Sequence, residues 1–253
     1  MSKNFELLQK LGKEQDLFGS VDGKQREVFA EPIPPIAVRS SEAATQPGLE
    51  EINGLAQQIF LTSGADTPRI VVFASTERGS GCSWVCTHLG EVLASRVAGS
   101  VCLVDANLRD PSLHQYFGCD NDNGMSEALL RLDPIRTFAR PLPTPNLWLI
   151  SAGSRADEAQ AHLSSDRMRL RLTELRKEFD YVLIDSAAMS VCNDTIGLGC
   201  MCDGVVMVLK ANASRRETAR HAIQDLQSGK AKVLGAVLNQ RTYPIPDSIY
   251  KNL

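Results

Sequence analysis

The chain has 253 residues, 43% of them hydrophobic, which suits one substantial core and requires no second. Lys and Arg number 27 against 30 Asp and Glu, a net charge of -3 with no basic block, so nucleic acid is not expected as the main partner. No apolar run reaches the length of a membrane span, and Met1 to Lys10 lacks the apolar core of a secretory signal, so a cytoplasmic protein is expected.

Residues 1–18 carry Phe5, Leu8 and Leu11 on one side of an amphipathic helix pattern, suited to a partner, a membrane surface or its own domain. Residues 19–48 lose periodicity and collect Pro32, Pro34, Pro35 and Pro47, the composition of a linker. A folded domain is expected over 49–242, followed by a tail at 243–253. Ile52, Leu55, Ile59 and Phe60 predict an opening helix, and the first strand follows at 70–74. Val85, Leu89, Val92 and Leu93 then mark a helix over about 82–97. Apolar runs at 101–105, 147–151, 181–185, 204–209 and 233–238 do not alternate, as expected of strands buried on both faces. Helix patterns separate them, the clearest using Met168, Leu172, Leu175 and Phe179, with a capping box expected at Ser214 to Glu217. Strands alternating with helices predict an α/β fold, a doubly wound and mostly parallel sheet flanked by helices.

Seven cysteines, at 82, 86, 102, 119, 192, 200 and 202, form no zinc-site spacing, and several lie in apolar runs, so reduced buried thiols are expected. The stretch Arg69 to Trp84 runs from an apolar strand through Gly79-Ser80-Gly81 into a helix, the layout of a phosphate-binding loop. Glycine there lets backbone N–H groups turn on a phosphate, and the helix dipole adds positive potential. In the pattern G-x-x-x-x-G-K-[ST], Gly81 and Ser83 fit, whereas Thr76 takes the first glycine's place and Cys82 the lysine's. Arg78 is the nearest cation in sequence able to replace that lysine.

Asp105 and Asp185 each end an apolar run, at the sheet edge where such folds bind ligands. With the Ser83 hydroxyl they make a hard-oxygen set suited to Mg²⁺, while either aspartate alone also suits a helix cap or turn. Cys82, at a helix N-terminus, reads either as a thiol of lowered pKa or as an inert residue. Trp84 reads either as a base-stacking ring or as a filler of the nucleotide's space.

The segments Ile70–Trp84, Val101–His114, Gly124–Leu130, Phe179–Ser186 and Val233–Asn239 resemble, in order and spacing, the bacterial tyrosine autokinases (BY-kinases) of exopolysaccharide and capsule biosynthesis. Those kinases belong to the deviant P-loop ATPases that include the Min and Par proteins. The likeness covers about residues 49–239, and Asp105-Ala-Asn-Leu-Arg-Asp-Pro-Ser-Leu-His114 is its most diagnostic part.

The resemblance implies ATP and Mg²⁺ as cofactors, with Gly79, Ser80, Gly81, Cys82, Ser83 and Trp84 forming the nucleotide loop and Asn239 approaching the adenine. Asp105 and Asn107 occupy catalytic positions, Asn107 standing where the family has a second aspartate. Ser83, Asp105 and Asp185 would hold the metal, and Tyr243 and Tyr250 would be the phosphoacceptors. A membrane-embedded polysaccharide chain-length or export protein is the implied partner, keeping the chain at the inner face of the membrane, and a homo-oligomer is compatible.

Departures from the family pattern fall on functional positions. They are Cys82, Asn107, Trp84 for a loop hydroxyl, Ala187-Ala188 for a proline pair, and Asn53 and Ala56 for two arginines of the helix that begins near Glu50. Together they imply a degenerate kinase acting as a regulator or scaffold. A residually active autokinase and a Min/Par-like positioning ATPase are the alternatives.

Overall fold

The computed structural model describes residues 48–62 and 67–240. The amphipathic pattern at 1–18, all of the linker but Gly48, and the tail with Tyr243 and Tyr250 lie outside the described residues.

The domain opens with α1 (Leu49–Phe60), then β1 (Ile70–Ser75), α2 (Cys82–Arg96) and β2 (Val101–Asp105). Two short helices follow, α3 (Leu113–Tyr116) and α4 (Met125–Leu130), then β3 (Arg140–Pro141) and β4 (Leu147–Ile150). The second half comprises α5 (Ala156–Ala159), α6 (Asp166–Glu178), β5 (Tyr181–Asp185), α7 (Asp194–Met201), β6 (Gly204–Lys210), α8 (Arg216–Ser228) and β7 (Val233–Asn239).

The strands form one seven-stranded sheet in the order β3-β4-β2-β5-β1-β6-β7. Every pairing is parallel except β3 with β4, as expected of a doubly wound sheet with one short antiparallel edge strand. All of β1 and β2, and β5 after Tyr181, are buried, which is why their sequences are apolar without alternation.

Side chains alternate through the sheet and feed two cores. Val71, Phe73, Leu103, Leu183, Val206, Val208 and Val237 face α1 and α2. Ile70, Val72, Val104, Ile184, Val205 and Met207 face the layer containing α4, α6, α7 and α8. Gly90 of α2 lets that helix approach β2 closely, since a Cβ there would lie 2.7 Å from Leu103. The expected opening helix, the helix at about 82–97 and all the expected strands are present, with ends shifted by a residue or so.

The capping box at Ser214 does not form. α8 begins one residue later than that motif requires, with Arg215 as its uncapped N-cap. The Ser214 hydroxyl instead accepts a hydrogen bond from Lys210 N at 3.0 Å, closing the turn that leaves β6.

Candidate functional site

The carboxyl edge of the sheet gathers the loop after β1 and the two aspartates. Gly79 and Gly81 adopt left-handed φ values of 76° and 79°, and Gly81 is the N-cap of α2. No larger residue fits at Gly81 as the loop stands, because a Cβ would come within 2.3 Å of Asn239 Nδ2. Ser75 Oγ and Ser80 Oγ both donate to Glu77 O, at 3.2 and 2.7 Å. From the far side, Asn239 Nδ2 donates to Ser80 O at 3.0 Å and Gln240 Nε2 to Gly79 O at 3.1 Å. The loop thus keeps a glycine-built, anchored turn at a helix N-terminus, the shape that presents N–H groups to an anion. Asn239 lies beside the loop and is bonded to it.

Asp105 and Asp185 are in register across β2 and β5, both fully buried and on the α2 side of the sheet. Asp105 Oδ1 accepts from Asn107 N at 3.1 Å, and Oδ2 accepts from Ser112 N at 3.0 Å and Leu113 N at 3.1 Å. The carboxylate therefore closes the turn after β2 and ties down the start of α3. Burial, then the neighbouring Asp185 charge, push its pKa up against the pull of those three N–H groups. Neither oxygen of Asp185 has a hydrogen-bond partner. Burial raises its pKa, more than the nearby Ser83 hydroxyl and Cys82 thiol lower it.

Cys82 is buried, and its pKa rises well above an ordinary thiol's through burial first and then the field of Asp185. This counts against the reading of a thiol activated by the helix N-terminus, since burial and a neighbouring carboxylate both disfavour the thiolate. All seven cysteines are free, and Cys82, Cys86 and Cys102 are buried as expected, whereas Cys200 is exposed. Among the described residues no cluster of three His, Cys, Asp or Glu side chains is placed to hold a metal. A metal set here would combine Asp185 with the Ser83 hydroxyl, with Asp105, whose oxygens already accept three backbone N–H groups, beside them.

Asn107 serves its own turn, its Nδ2 donating to Asp110 O at 2.8 Å. Trp84 does not fill space in the site. It is 39% exposed and stacks on His88 at a ring-centroid distance of 4.0 Å, one helical turn on. His88 continues to Tyr116, whose hydroxyl lies 3.0 Å from Nε2, so the indole belongs to an aromatic row on the outside of the domain. Arg78 lies 3.8 Å from Asp110, both side chains being mostly exposed. Ala56 is fully buried, so α1 presents no arginine from that position.

Two buried charged residues missed in the sequence organise the surroundings of α4. Glu127 is a buried carboxylate that accepts from Gly124 N, Ser126 Oγ, Ser154 N, Ser154 Oγ and Arg155 N. Burial pushes its pKa up, but these donors outweigh it and hold it below the usual range. Arg171, also buried, donates to Ala128 O, Asp133 O and Arg131 O and so closes the end of α4. The sequence offers one signal for Glu127, a carboxylate three residues after a helix-opening glycine; Arg171 offers none.

A doubly wound sheet with an anchored glycine loop on β1 and paired carboxylates on β2 and β5 defines a deviant P-loop ATPase. The model of the family described as ATPase MipZ matches residues 69–206, more than half of the chain, and the chain belongs to that family. Bacterial tyrosine-protein kinases are among its sequence relatives. A putative tyrosine-protein kinase EpsB of Ralstonia nicotianae is 29% identical over 193 residues, 76% of this chain but only 26% of that protein. The tyrosine-protein kinase YwqD of Bacillus subtilis is 27% identical over 204 residues, 79% of this chain and 86% of its own length. The kinase domain of the Escherichia coli tyrosine kinase ETK superposes with a TM-score of 0.73 at 21% identity, covering 87% of this chain and 86% of that domain. No helix among the described residues is long and apolar enough to cross a membrane.

Proposed function

We propose that this chain is a regulator or scaffold of exopolysaccharide synthesis or export, built on a tyrosine-kinase-type domain that keeps a nucleotide cradle and has lost efficient phosphoryl transfer. The observation that carries the reading is Cys82. At the position of the loop lysine stands a buried thiol of raised pKa, neutral near pH 7, beside the buried carboxylate of Asp185. Transfer of a phosphoryl group depends on neutralising charge on the moving oxygens. Losing one well-placed donor typically costs about 3 kcal/mol of transition-state stabilisation, about a hundredfold in rate, and here the donor would carry a full charge. Asn107, bonded to Asp110 O, offers no second carboxylate to help with metal or proton.

In this reading the Gly79–Ser83 loop holds the phosphates of ATP and Asn239 lies on the adenine side. Asp185 and Ser83 would hold Mg²⁺, directly or through water. The ion, when bound, offsets phosphate charge, and it would also give Asp185 the charged partner it lacks. Tyr243 and Tyr250 are the candidate acceptors. The partner is a membrane-embedded chain-length or export protein, which would keep this chain at the inner face of the membrane, with self-association into a homo-oligomer.

The test is phosphotyrosine incorporation by purified protein with Mg-ATP. Little or none is expected, and the nucleotide should still bind. Rapid incorporation abolished by Asp185→Asn would overturn the loss of transfer and restore the autokinase. A second reading, a positioning ATPase of the Min/Par kind, is favoured by the family whose model matches residues 69–206. It requires ATP hydrolysis coupled to reversible dimerisation, measurable by phosphate release and light scattering.

A further inference from the structure

With Cys82 in the lysine's place, the loop keeps one cation, Arg78, a mostly exposed side chain 3.8 Å from Asp110. The sheet brings a second from another strand. In β6, Val206 and Val208 face α2 while Val205 and Met207 face the opposite layer. Lys210 continues the parity of Val206 and Val208, on the face where Asp105, Asp185 and Asn239 stand at the ends of β2, β5 and β7.

Register then fixes its position. Val208 pairs with Ser75 at the end of β1, so Lys210 lies two residues farther, alongside the start of the loop. On its other side Lys210 pairs with Asn239, the residue whose amide holds Ser80 O. Its backbone is held firmly. Lys210 N donates to Ser214 Oγ and Lys210 O accepts from Ser214 N, both at 3.0 Å, and Ala211 N donates to Asn239 O at 2.8 Å. The side chain is half-buried, and among the described residues it makes no ion pair within 4.0 Å. A lysine carries its point charge at the end of a flexible four-carbon stem with three rotatable donors, so a fixed Cα still allows the ammonium to follow a ligand.

We propose that Lys210 is the replacement cation of this site, its ammonium binding the phosphates of a nucleoside di- or triphosphate held by the Gly79–Ser83 loop. This rests on the nucleotide reading above and identifies the chain's own residue that makes such binding affordable without a loop lysine. The charge arrives from the β6 and β7 side of the loop. It would therefore favour holding the nucleotide over stabilising the transferred group, consistent with binding that outlasts catalysis.

The experiment is calorimetric titration of Mg-ADP and Mg-ATP into the parent chain, Lys210→Ala, Lys210→Arg, Lys230→Ala and the double variant Cys82→Lys/Lys210→Ala. Lys230 is an exposed cation just before β7, at the opposite edge of the sheet, and serves as the charge control. Lys210→Ala should weaken binding at least about tenfold, the usual scale for a hydrogen bond to a charged group. Lys210→Arg and Lys230→Ala should stay within about threefold of the parent, and the double variant should recover most of the loss. Parent-like binding by Lys210→Ala would overturn the assignment while leaving the nucleotide reading intact. A parent chain that binds neither nucleotide would overturn both. A loss that arginine does not preserve and Cys82→Lys does not restore would make Lys210 a structural residue, and would overturn its role as the cation.

Discussion

Asp105 and Asp185 end neighbouring strands, face each other in register and are equally buried, yet their surroundings are opposite. Asp105 satisfies three backbone N–H groups of the turn after β2, whereas Asp185 meets no backbone donor and has only the Ser83 hydroxyl and the Cys82 thiol near it. The first is part of the fold's framework. The second is an under-satisfied acceptor kept out of water, a condition native proteins tolerate where a ligand or ion completes the site. Two residues of one type at equivalent strand ends can thus divide structural and functional duty between them, and substitutions should separate the two.

The largest effect should come from Asp105→Ala, which strands three N–H groups in the interior. Unpaired buried donors cost about 1–3 kcal/mol each before relaxation, so a loss of about 3 kcal/mol or more is expected in urea unfolding. A loss below about 1 kcal/mol would show that the contrast with Asp185 is not energetic.

Next comes Cys82→Lys, which sharpens the ligand side of the contrast by placing an ammonium beside Asp185. Mg-ATP affinity should rise about ten- to a hundredfold, about 1.5–3 kcal/mol, because Gly79, Gly81, Ser83 and Asp185 are already arranged. Phosphoryl transfer should recover less, since Asn107 and the buried Ala56 are unchanged. Unchanged binding in a normally folded variant would mean that the loop no longer cradles phosphate.

The smallest effect is expected from Asp185→Asn, which should stabilise the nucleotide-free chain by about 1 kcal/mol near pH 7.5 by removing a buried, unpaired charge. The sign follows from linkage. Burial raises the folded pKa of both aspartates above the unfolded value near 4. The folded state therefore holds its protons to higher pH, and these groups' contribution is full at low pH and lost as pH rises towards neutrality. Asp185→Asn should remove part of that decline, so the gain over the parent should be larger at pH 7.5 than at pH 5. A variant less stable than the parent at both values would show that Asp185 has a structural partner after all.

Much of this molecule is legible along the chain because the signals are local. Unbroken apolar runs mark strands buried on both faces, glycines at 79 and 81 mark a left-handed turn, and a thiol at 82 removes a charge wherever the loop lies. The sheet, the phosphate loop and the missing lysine follow from these alone, since they depend on covalent neighbours and on periodicity. What only the tertiary structure decided depends on partners far apart in sequence. Burial beside Asp185 sends the Cys82 pKa up, His88 and Tyr116 draw Trp84 to the outside, and Lys210 closes the turn with the hydroxyl expected to cap α8. The backbone donors of residues 107, 112 and 113 make Asp105 a cap, while no comparable turn reaches Asp185. Lys210 is unremarkable as a letter at the end of an apolar run; strand parity and pairing with Asn239 put it at the nucleotide loop, because a parallel sheet places side by side residues that the chain holds far apart.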